Sequence, residues 1–483
     1  MESSFKKYNL SDELIKSIDL LNFKSPTLVQ EQVIPAIFEQ KNIIVKSQTG
    51  SGKTASFSIP ICELVNWDDN LPQALVITPT RELAIQVKED IFNIGRFKRI
   101  KISSVYGKES IVRQEKELKQ KTHVVVGTPG RIIDLCERKS LDFSNIKYLV
   151  IDEADQILNM GFIEQTENII SRLPKNRVTI LLSATMPEDI KKMSSKYIES
   201  PLVIEIEEQS RNVDRISQES YNVKESEKIN LLNEIMILEN PDSCIFFCNT
   251  KQKVDMVTEE LNKSCITVEK IHGGMEQVDR LKVMNDFRRG IFKYLVATDV
   301  AARGIDIDNI NLIINYDVPV DKEIYVHRIG RTGRIGKEGK AITFVTQYEN
   351  RFLTEIENFV EKKTIVKTRP NQEIIDNLKN KFMEDQNKKP ILKNKKGHNI
   401  DKEIMKIHIN AGKKTKMRAV DIVGTLCNLD GIDPSDVGII EIRDVSTFVE
   451  ILNNKGDLVL AKLRETPIKG RLRKVNKVEI EKN

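Results

Sequence analysis

Two short stretches hold the residues best suited to chemistry. The first, Ser47-Gln48-Thr49-Gly50-Ser51-Gly52-Lys53-Thr54, follows the apolar run "NIIV" and precedes a helix-like pattern from Ala55. Gly50 and Gly52 let the backbone turn its N–H groups toward a polyphosphate. Lys53 supplies a point charge for the outer phosphates, and the Thr54 hydroxyl is placed to ligate Mg2+. Ser47 stands where such a loop usually opens with glycine. A glycine-rich turn alone is more often an ordinary strand-to-helix connection, and it is the Gly-Lys-Thr ending that favours phosphate. The second stretch, "VIDEADQ" at 150–156, crowds Asp152, Glu153 and Asp155 around one alanine at the end of the run "YLVI". Alone it would read as the solvated end of a buried strand. Beside a phosphate loop it reads differently. A metal held by Thr54 needs a carboxylate from a neighbouring strand end, which Asp152 provides, and Glu153 can orient or deprotonate an attacking water. Nucleotide binding is then expected to depend on a divalent cation, whose charge offsets the repulsion among the acids.

Such residues must sit on rigid strand ends, and the chain supplies them. From residue 1 to about 208, β-branched runs ("NIIVKS", "ALVITPT", "ISSVYG", "HVVVGTP", "YLVIDEAD", "TILLSAT") alternate with amphipathic segments. This is the pattern of a parallel sheet covered by helices on both faces, with polar residues gathered at the carboxyl ends of its strands. A polar stretch, "EEQSRNVDR", precedes a second alternating series, "SCIFFCNT", "VEKIHGG", "KYLVATDVAARG", "LIINYDVP" and "KAITFVT", which ends near residue 362. It contains no second Gly-Lys-Thr and is expected to complete a site rather than form its own. Residues 363–400 are poor in large apolar side chains. From 361 to 400 there are 11 Lys and Arg against 5 acids, which reads as a basic linker with one helical piece near 372–383. Its charge suits a polyanion, although a solvated spacer is as good a reading. From 401 onward the order strand, helix, strand, strand, helix, strand predicts a small βαββαβ domain of the RNA-recognition-motif kind, a plan that unrelated domains share. Basic residues cluster there at Lys413, Lys414, Lys416 and Arg418, and again at Lys469, Arg471, Arg473, Lys474 and Lys477.

Composition sets the bounds. The 483 residues exceed one ordinary core and suggest about three domains. Lys and Arg number 76 against 71 acids, a net charge of only +5, so the distribution of charge must identify a partner rather than its total. The N-terminus lacks the apolar core of a secretory signal, and no apolar run approaches the roughly 20 residues needed to cross a bilayer, which makes a cytoplasmic protein the expectation. Six scattered cysteines suit a reducing compartment, and Cys244 and Cys248 read as core packing rather than a zinc site. Nothing suggests a dedicated dimer seam, so a monomer is expected.

Read in order, the motifs of residues 1–360 resemble those of a DEAD-box RNA helicase. They are "SPTLVQ" with Phe23 and Gln30, then "SQTGSGKT", "PTRELA" (79–84), "TPGR" (128–131), "DEAD" (152–155) and "SAT" (183–185). The second series continues with "FFCNT", "HGG" with Gln277 and Arg280, "ATDVAARGIDI" (297–307) and "HRIGRTGR" (327–334). Each is weak alone; together and in order they are specific. The resemblance implies two tandem RecA-like α/β domains, 1–208 (ATP-binding) and 209–362 (helicase C-terminal), then the basic linker 363–400 and an RRM-like RNA-binding domain at 401–483. It implies an RNA-dependent ATPase that converts ATP and water to ADP and phosphate and locally unwinds RNA.

The resemblance also gives each residue a role. Gln30 would read adenine and Phe23 stack on it, with Phe5 in support. Ser47, Gln48, Thr49, Gly50, Ser51, Gly52, Lys53 and Thr54 would hold ATP, and Thr54 and Asp152 its Mg2+. Arg331 and Arg334 would act as arginine fingers across the cleft, Asp306 would meet the ribose or phosphates, and His327 would connect the nucleotide site to "SAT". RNA would be held by Thr80, Arg81, Thr128, Gly130 and Arg131 on the first domain, and by Thr250, Gln277, Arg280 and Thr298 on the second. These contacts are largely to sugar and phosphate, so strand separation would be insensitive to sequence. Two positions depart from the family pattern: Asn22 replaces the glycine usual before Phe23, and Gly107-Lys108 replaces a glycine pair. A DNA-directed translocase and a non-catalytic clamp fit less well, because the RNA-type motifs and all of Lys53, Glu153, Arg331 and Arg334 are present.

The tail, with "GKKTKMRAVDIVGTL", "VGIIEI" and "VEIL", resembles the bacterial DbpA subfamily. That implies recognition of the hairpin 92 region of 23S ribosomal RNA, near the peptidyl-transferase centre, within pre-50S particles, with the tail tethering an unspecific core beside its substrate. The sheet-face aromatics of a general RNA-recognition motif are sparse here. His408 and Phe448 remain, while Ser446 and Ile451 occupy other candidate positions, so readout through the basic clusters Lys413, Lys414, Lys416, Arg418, Lys469, Arg471 and Arg473 is expected to count at least as much as base stacking on the sheet.

Overall fold

The computed structural model of the protein describes residues 4–47, 50–206, 216–299, 310–333, 339–388, 390, 392–393 and 395–478. Among the site residues named above, Gln48, Thr49, Asp306 and Arg334 lie outside the described residues. Two compact units divide the chain, one built from Met1–Ile206 with Lys395–Asn483 and the other from Glu207–Asn394. No described helix is long and apolar enough to cross a membrane.

The first sheet contains β1 (Ile43–Lys46), β2 (Ala74–Ile77), β3 (Ile102–Val105), β4 (Val124–Gly127), β5 (Tyr148–Ile151), β6 (Val178–Ser183) and β7 (Leu202–Glu205). All neighbours run parallel in the order β3-β4-β2-β5-β6-β1-β7. Every residue of β2, β4 and β5 is buried. This explains why the runs read as continuously apolar rather than alternating: helices cover both faces. Two apolar clusters, one on each face, meet at these strands. Since β5 lies between β2 and β6, and β1 beside β6, the ends of "VITPT", "VIDEAD", "LLSAT" and "IIVKS" fall side by side.

The second sheet repeats the plan with β8 (Ile216–Asn222), β9 (Cys244–Cys248), β10 (Val268–Ile271), β11 (Tyr294–Thr298), β12 (Leu312–Asn315), β13 (Gly339–Val345) and β14 (Ile365–Lys367), in the order β10-β11-β9-β12-β13-β8-β14. Both Cys244 and Cys248 are buried in its core. Here the structure departs from the linker reading of 363–400. Strand β14 pairs in parallel with β8, and the helix Gln372–Gln386, capped by Asn371, buries Ile375 and Phe382, the latter within the core of this sheet. Two well-placed apolar side chains on one helical face suffice, and a composition average over a polar stretch conceals them. Part of its basic charge is also paired, Arg369 forming a two-pronged bond with Glu234 at 2.8 and 2.6 Å.

The third sheet is antiparallel, with β15 (Met405–Ile409), β16 (Val437–Ile442), β17 (Thr447–Ile451) and β18 (Val475–Lys477) in the order β16-β17-β15-β18. The helices Ala419–Cys427 and Gly456–Leu463 cover one face, burying Ile422, Leu426, Val459 and Leu463 against Ile407, Ile409, Val449 and Ile451. The fold class is therefore two tandem RecA-like parallel-sheet domains and a small RRM-like βαββαβ domain.

Candidate nucleotide and RNA sites

The phosphate loop joins β1 to the helix Lys53–Leu64. Gly50 and Gly52 take φ of +83° and +89°, a region that side chains rarely adopt, and Gly52 is the helix N-cap. A Cβ at Gly52 would come within 2.6 Å of Gln30 Nε2, so the loop is packed against its neighbour as well as turned. Lys53 is buried, and its ammonium donates to the Ser47 carbonyl at 2.5 Å. Ser47 Oγ lies 2.6 Å from Ser51 Oγ, so the serine in the glycine position ties the two arms of the loop together. Two positive-φ glycines, a helix N-terminus and a buried ammonium fit the demands of a polyphosphate.

Gln30 and Thr27 form a capping box on the helix Leu28–Phe38, with Thr27 N donating to Gln30 Oε1 at 3.1 Å. The same two side chains donate to the loop: Gln30 Nε2 to the Gly52 carbonyl at 3.2 Å, and Thr27 Oγ1 to the Ser51 carbonyl at 2.8 Å. Each end of the Gln30 amide keeps one further hydrogen-bonding site. Phe23 packs half-buried against the first core. Asn22 before it has φ +60°, and Lys108, in the other departure from the family pattern, also has φ +60°. Both positions therefore require the left-handed region, which glycine adopts freely and Asn at modest cost; Lys108 bears the larger strain.

Asp152 is buried at the end of β5, its side chain accepting from Glu153 N at 3.0 Å. Burial pushes its carboxyl up to about 6, against the pull of Lys53 and with Asp155 adding to the rise. Glu153 has φ +51° and stands at the N-cap position of the helix Ala154–Asn159, a strained conformation for a non-glycine residue. The third acid has a role that the sequence did not reveal. Asp155 Oδ2 accepts from Ala184 N (3.2 Å), Thr185 N (3.0 Å) and Thr185 Oγ1 (3.2 Å), while its own N–H donates to Ser183 Oγ at 3.2 Å. The "DEAD" and "SAT" turns are thus one hydrogen-bonded piece, made possible by the pairing of β5 with β6.

The expected RNA contacts of the first domain also gather at strand ends. Thr80 caps the helix Arg81–Ile94, its hydroxyl accepting from Leu83 N at 3.2 Å. Thr128 precedes the helix Pro129–Glu137, which begins with Gly130 and Arg131 in its first turn. Strands β2, β4 and β3 are adjacent, so these turns and Gly107 share one edge, with the Arg81 guanidinium beside Gly107. Arg131 is less available than the sequence suggested. Its guanidinium donates to the Glu109 carbonyl (3.1 Å) and Gln114 Oε1 (2.8 Å), bracing the loop that carries Lys108.

On the second domain, Thr250 caps the helix Lys251–Lys263, Gln277 begins the helix Gln277–Arg289 that holds Arg280, and Thr298 ends β11. His327 lies in the last turn of the helix Lys322–Ile329, and Arg331 follows it. Sequence reasoning missed the residue between His327 and Ile329. Arg328 is fully buried and bonds Asp299 with two nitrogens (2.5 and 2.7 Å), Asn249 Oδ1 (2.9 Å) and the Asp317 carbonyl (2.7 Å). One guanidinium therefore joins the neighbour of Thr250, the neighbour of Thr298 and the arginine-bearing turn. Asp317 in turn receives Lys228 and Lys253 at 3.1 and 2.6 Å. Burial alone would raise its carboxyl, and the two ammonium groups hold it below the usual value.

In the C-terminal domain Lys413, Lys414, Lys416 and Arg418 are exposed. Lys469 bonds the Lys416 carbonyl (2.6 Å) and Asp421 (3.0 Å), which brings the two basic clusters to one place. His123 is buried between Lys101 N and the Trp67 carbonyl, and burial lowers it to about 4.

Comparison with known proteins agrees with this geometry. The chain matches the models of the DEAD/DEAH box helicase over residues 27–193, the helicase conserved C-terminal domain over 227–336 and the DbpA RNA binding domain over 406–477. It is 53% identical over 475 residues to the ATP-dependent RNA helicase DbpA of Bacillus subtilis, covering 98% of this chain and 99% of that one. It is 44% identical to the DEAD-box ATP-dependent RNA helicase CshA of Geobacillus kaustophilus over 75% of this chain and 77% of that one. Among solved structures, S. cerevisiae Dbp5 bound to RNA and ADP BeF3 superposes with a TM-score of 0.71 at 33% identity, over 79% of this chain and 100% of that one. A phosphate loop packed on Gln30, a "DEAD" turn bonded to "SAT", a second RecA-like sheet and an RNA-binding tail make one kind of enzyme: the chain belongs to the DEAD-box ATP-dependent RNA helicases, in their DbpA subfamily.

Proposed function

We propose that this helicase separates short duplexes of 23S ribosomal RNA during assembly of the large ribosomal subunit in the cytoplasm, directed by its C-terminal domain to the hairpin 92 region of pre-50S particles. The observation that carries this reading is relatedness to a DbpA helicase over 98% of the chain, tail included, where the CshA relative covers only 75%. The exposed basic surface around Lys413, Lys414 and Lys469 supports it, because such a surface tracks phosphates.

In this reading the Gly50–Gly52 backbone and Lys53 hold the phosphates of ATP, the spare hydrogen-bonding sites of Gln30 meet adenine, and Phe23 stacks on it. Thr54 and Asp152 would hold Mg2+, which when bound supplies positive charge to the phosphate oxygens. Glu153 orients the attacking water and takes its proton. Arg331 and Arg334 of the second domain stabilise the charge on the transferred phosphoryl group, so turnover needs both domains. Thr80, Arg81 and Thr128 on the first domain, with Thr250, Gln277 and Arg280 on the second, hold the sugar-phosphate strand, leaving sequence preference to the tail.

Glu153→Gln tests the core of this scheme. Removing a positioned base costs about 10²–10⁴ in rate while leaving the ligand contacts in place. Turnover is expected to fall by that factor while ATP and RNA stay bound together, seen as slow release of a labelled RNA. Normal turnover in the variant would remove Glu153 from its role.

A further inference from the structure

Strand β10 ends at Ile271, and the turn His272-Gly273-Gly274-Met275 carries the chain to the helix Gln277–Arg289. The two glycines are exposed, whereas His272 is buried. Both polar parts of this histidine hold the turn. Its carbonyl accepts from Met275 N at 3.2 Å, and its ring Nδ1 accepts from Gly274 N at 3.1 Å. A backbone N–H can only donate, so Nδ1 is the bare nitrogen and the ring proton sits on Nε2. That nitrogen faces Asp255 Oδ1 at 3.2 Å and donates to it. A Cβ on Gly274 would come within 3.2 Å of Nδ1, so the approach of its N–H to the ring is easiest for glycine.

Asp255 lies on the helix Lys251–Lys263, which Thr250 caps. Its carboxylate also accepts from the Lys270 ammonium at 2.5 Å, and that contact holds the carboxyl below its usual range. A carboxylate can only accept, so it selects the ring tautomer that carries its proton on Nε2. The selection matters at the other nitrogen. The opposite tautomer would set a ring N–H against the Gly274 N–H, donor against donor. The Lys251 side chain lies beside the same glycine. One imidazole therefore joins the helix begun by Thr250 to the turn that delivers Gln277 and Arg280.

We propose that His272 is a positioning residue for the RNA grip of the second domain: Asp255 locks its tautomer, Nδ1 sets the Gly273-Gly274 turn, and the turn places Gln277 and Arg280 relative to Thr250. This rests on the reading of Thr250, Gln277 and Arg280 as residues that hold the RNA strand. With both nitrogens engaged, the buried ring acts through the turn rather than on RNA. A histidine that only filled space would be indifferent to which of its nitrogens a substitute reproduces. His272 is sensitive to it, because only an acceptor at the Nδ1 position keeps the turn closed.

The test measures equilibrium binding of a short labelled RNA single strand without a hairpin to the full chain, in the presence of ADP and beryllium fluoride. In His272→Asn the Oδ1 atom stands close to where Nδ1 stood and accepts from the N–H two residues on, a common local turn. In His272→Gln the amide reaches the Nε2 position instead, which keeps the Asp255 contact and leaves Gly274 N without its acceptor. The Kd for RNA is expected to rise about tenfold in His272→Gln and to stay within about twofold of the unaltered chain in His272→Asn. Asp255→Ala is expected to raise Kd about fivefold in the unaltered chain and to add nothing in His272→Asn, because asparagine has no tautomer to lock. Equal binding by the Gln and Asn variants, or an equal cost of Asp255→Ala in both backgrounds, would overturn the proposal. The Asp255→Ala comparison carries the test alone if His272→Gln does not fold, since that carboxylate is half-exposed. Arg280→Ala separates the two levels of the argument. Weak binding by Arg280→Ala with unchanged binding by His272→Gln would remove the role of His272 only, whereas unchanged binding by Arg280→Ala would remove the reading of the strand contacts on which it rests.

Discussion

Asp152→Asn is expected to make the nucleotide-free protein more stable at pH 7.5 and to abolish its turnover. The Asp152 carboxyl is raised from 3.8 to about 6 by burial, so folding favours its neutral form. The stability that the neutral form contributes is complete below pH 3.8 and is lost as pH rises through about 6. At pH 7.5 the fold carries a buried carboxylate at a cost of about 3 kcal/mol, because each pH unit that separates the folded from the unfolded titration is worth roughly 1.4 kcal/mol. Asparagine keeps the shape without the charge. Chemical unfolding is expected to show a gain of about 1–3 kcal/mol at pH 7.5 that disappears near pH 4, while ATP hydrolysis falls below detection. The raised carboxyl also implies that the unaltered protein releases a proton on binding Mg2+ and ATP near pH 6, readable by calorimetry in buffers of different ionisation enthalpy. Equal stability of the variant at both pH values would contradict the assignment of strain to Asp152.

Arg328→Ala is expected to have the other large effect. It leaves the half-buried Asp299 carboxylate, the buried Asn315 amide oxygen and the Asp317 carbonyl without their donor, which costs about 1–3 kcal/mol in the second domain. Because loss of folding alone would silence activity, Arg328→Lys is the informative variant: it keeps the charge and loses the planar fork. A single ammonium cannot bond Asp299, Asn249 and the Asp317 carbonyl in the arginine geometry. RNA-stimulated hydrolysis is expected to fall at least tenfold in Arg328→Lys, with KM for RNA raised and RNA-free hydrolysis little changed. Unaltered RNA stimulation would show that Arg328 holds the fold alone and does not position Thr250 and Thr298.

How much of this the sequence discloses depends on the range of the interaction. Strands β2, β4 and β5 are legible because a strand buried on both faces must be apolar throughout, and the phosphate loop because its glycines and lysine act within eight residues. The antiparallel tail was legible for the same reason, its strands and helices each carrying a local period. Asp155 was visible as an acid but not as the partner of Ala184 and Thr185, since that bond depends on which strand lies beside β5. Arg328 was hidden inside a motif whose flanking residues drew the attention, and its partners come from three separate turns. The helix expected near 372–383 is present as Gln372–Gln386, whereas strand β14 escaped because it is three residues long and exposed.

The targeting of the helicase is tested most directly by steady-state ATP hydrolysis of the full chain with equal amounts of 23S ribosomal RNA, an unrelated structured RNA and duplex DNA. A second protein carries Lys413→Glu and Lys414→Glu, both on the exposed basic surface. The expected result is stimulation at least tenfold greater by ribosomal RNA than by the unrelated RNA, none by DNA, and loss of the ribosomal preference in the variant with its basal rate kept. Equal stimulation of both proteins by every RNA would contradict the proposal and leave an RNA helicase without a chosen substrate.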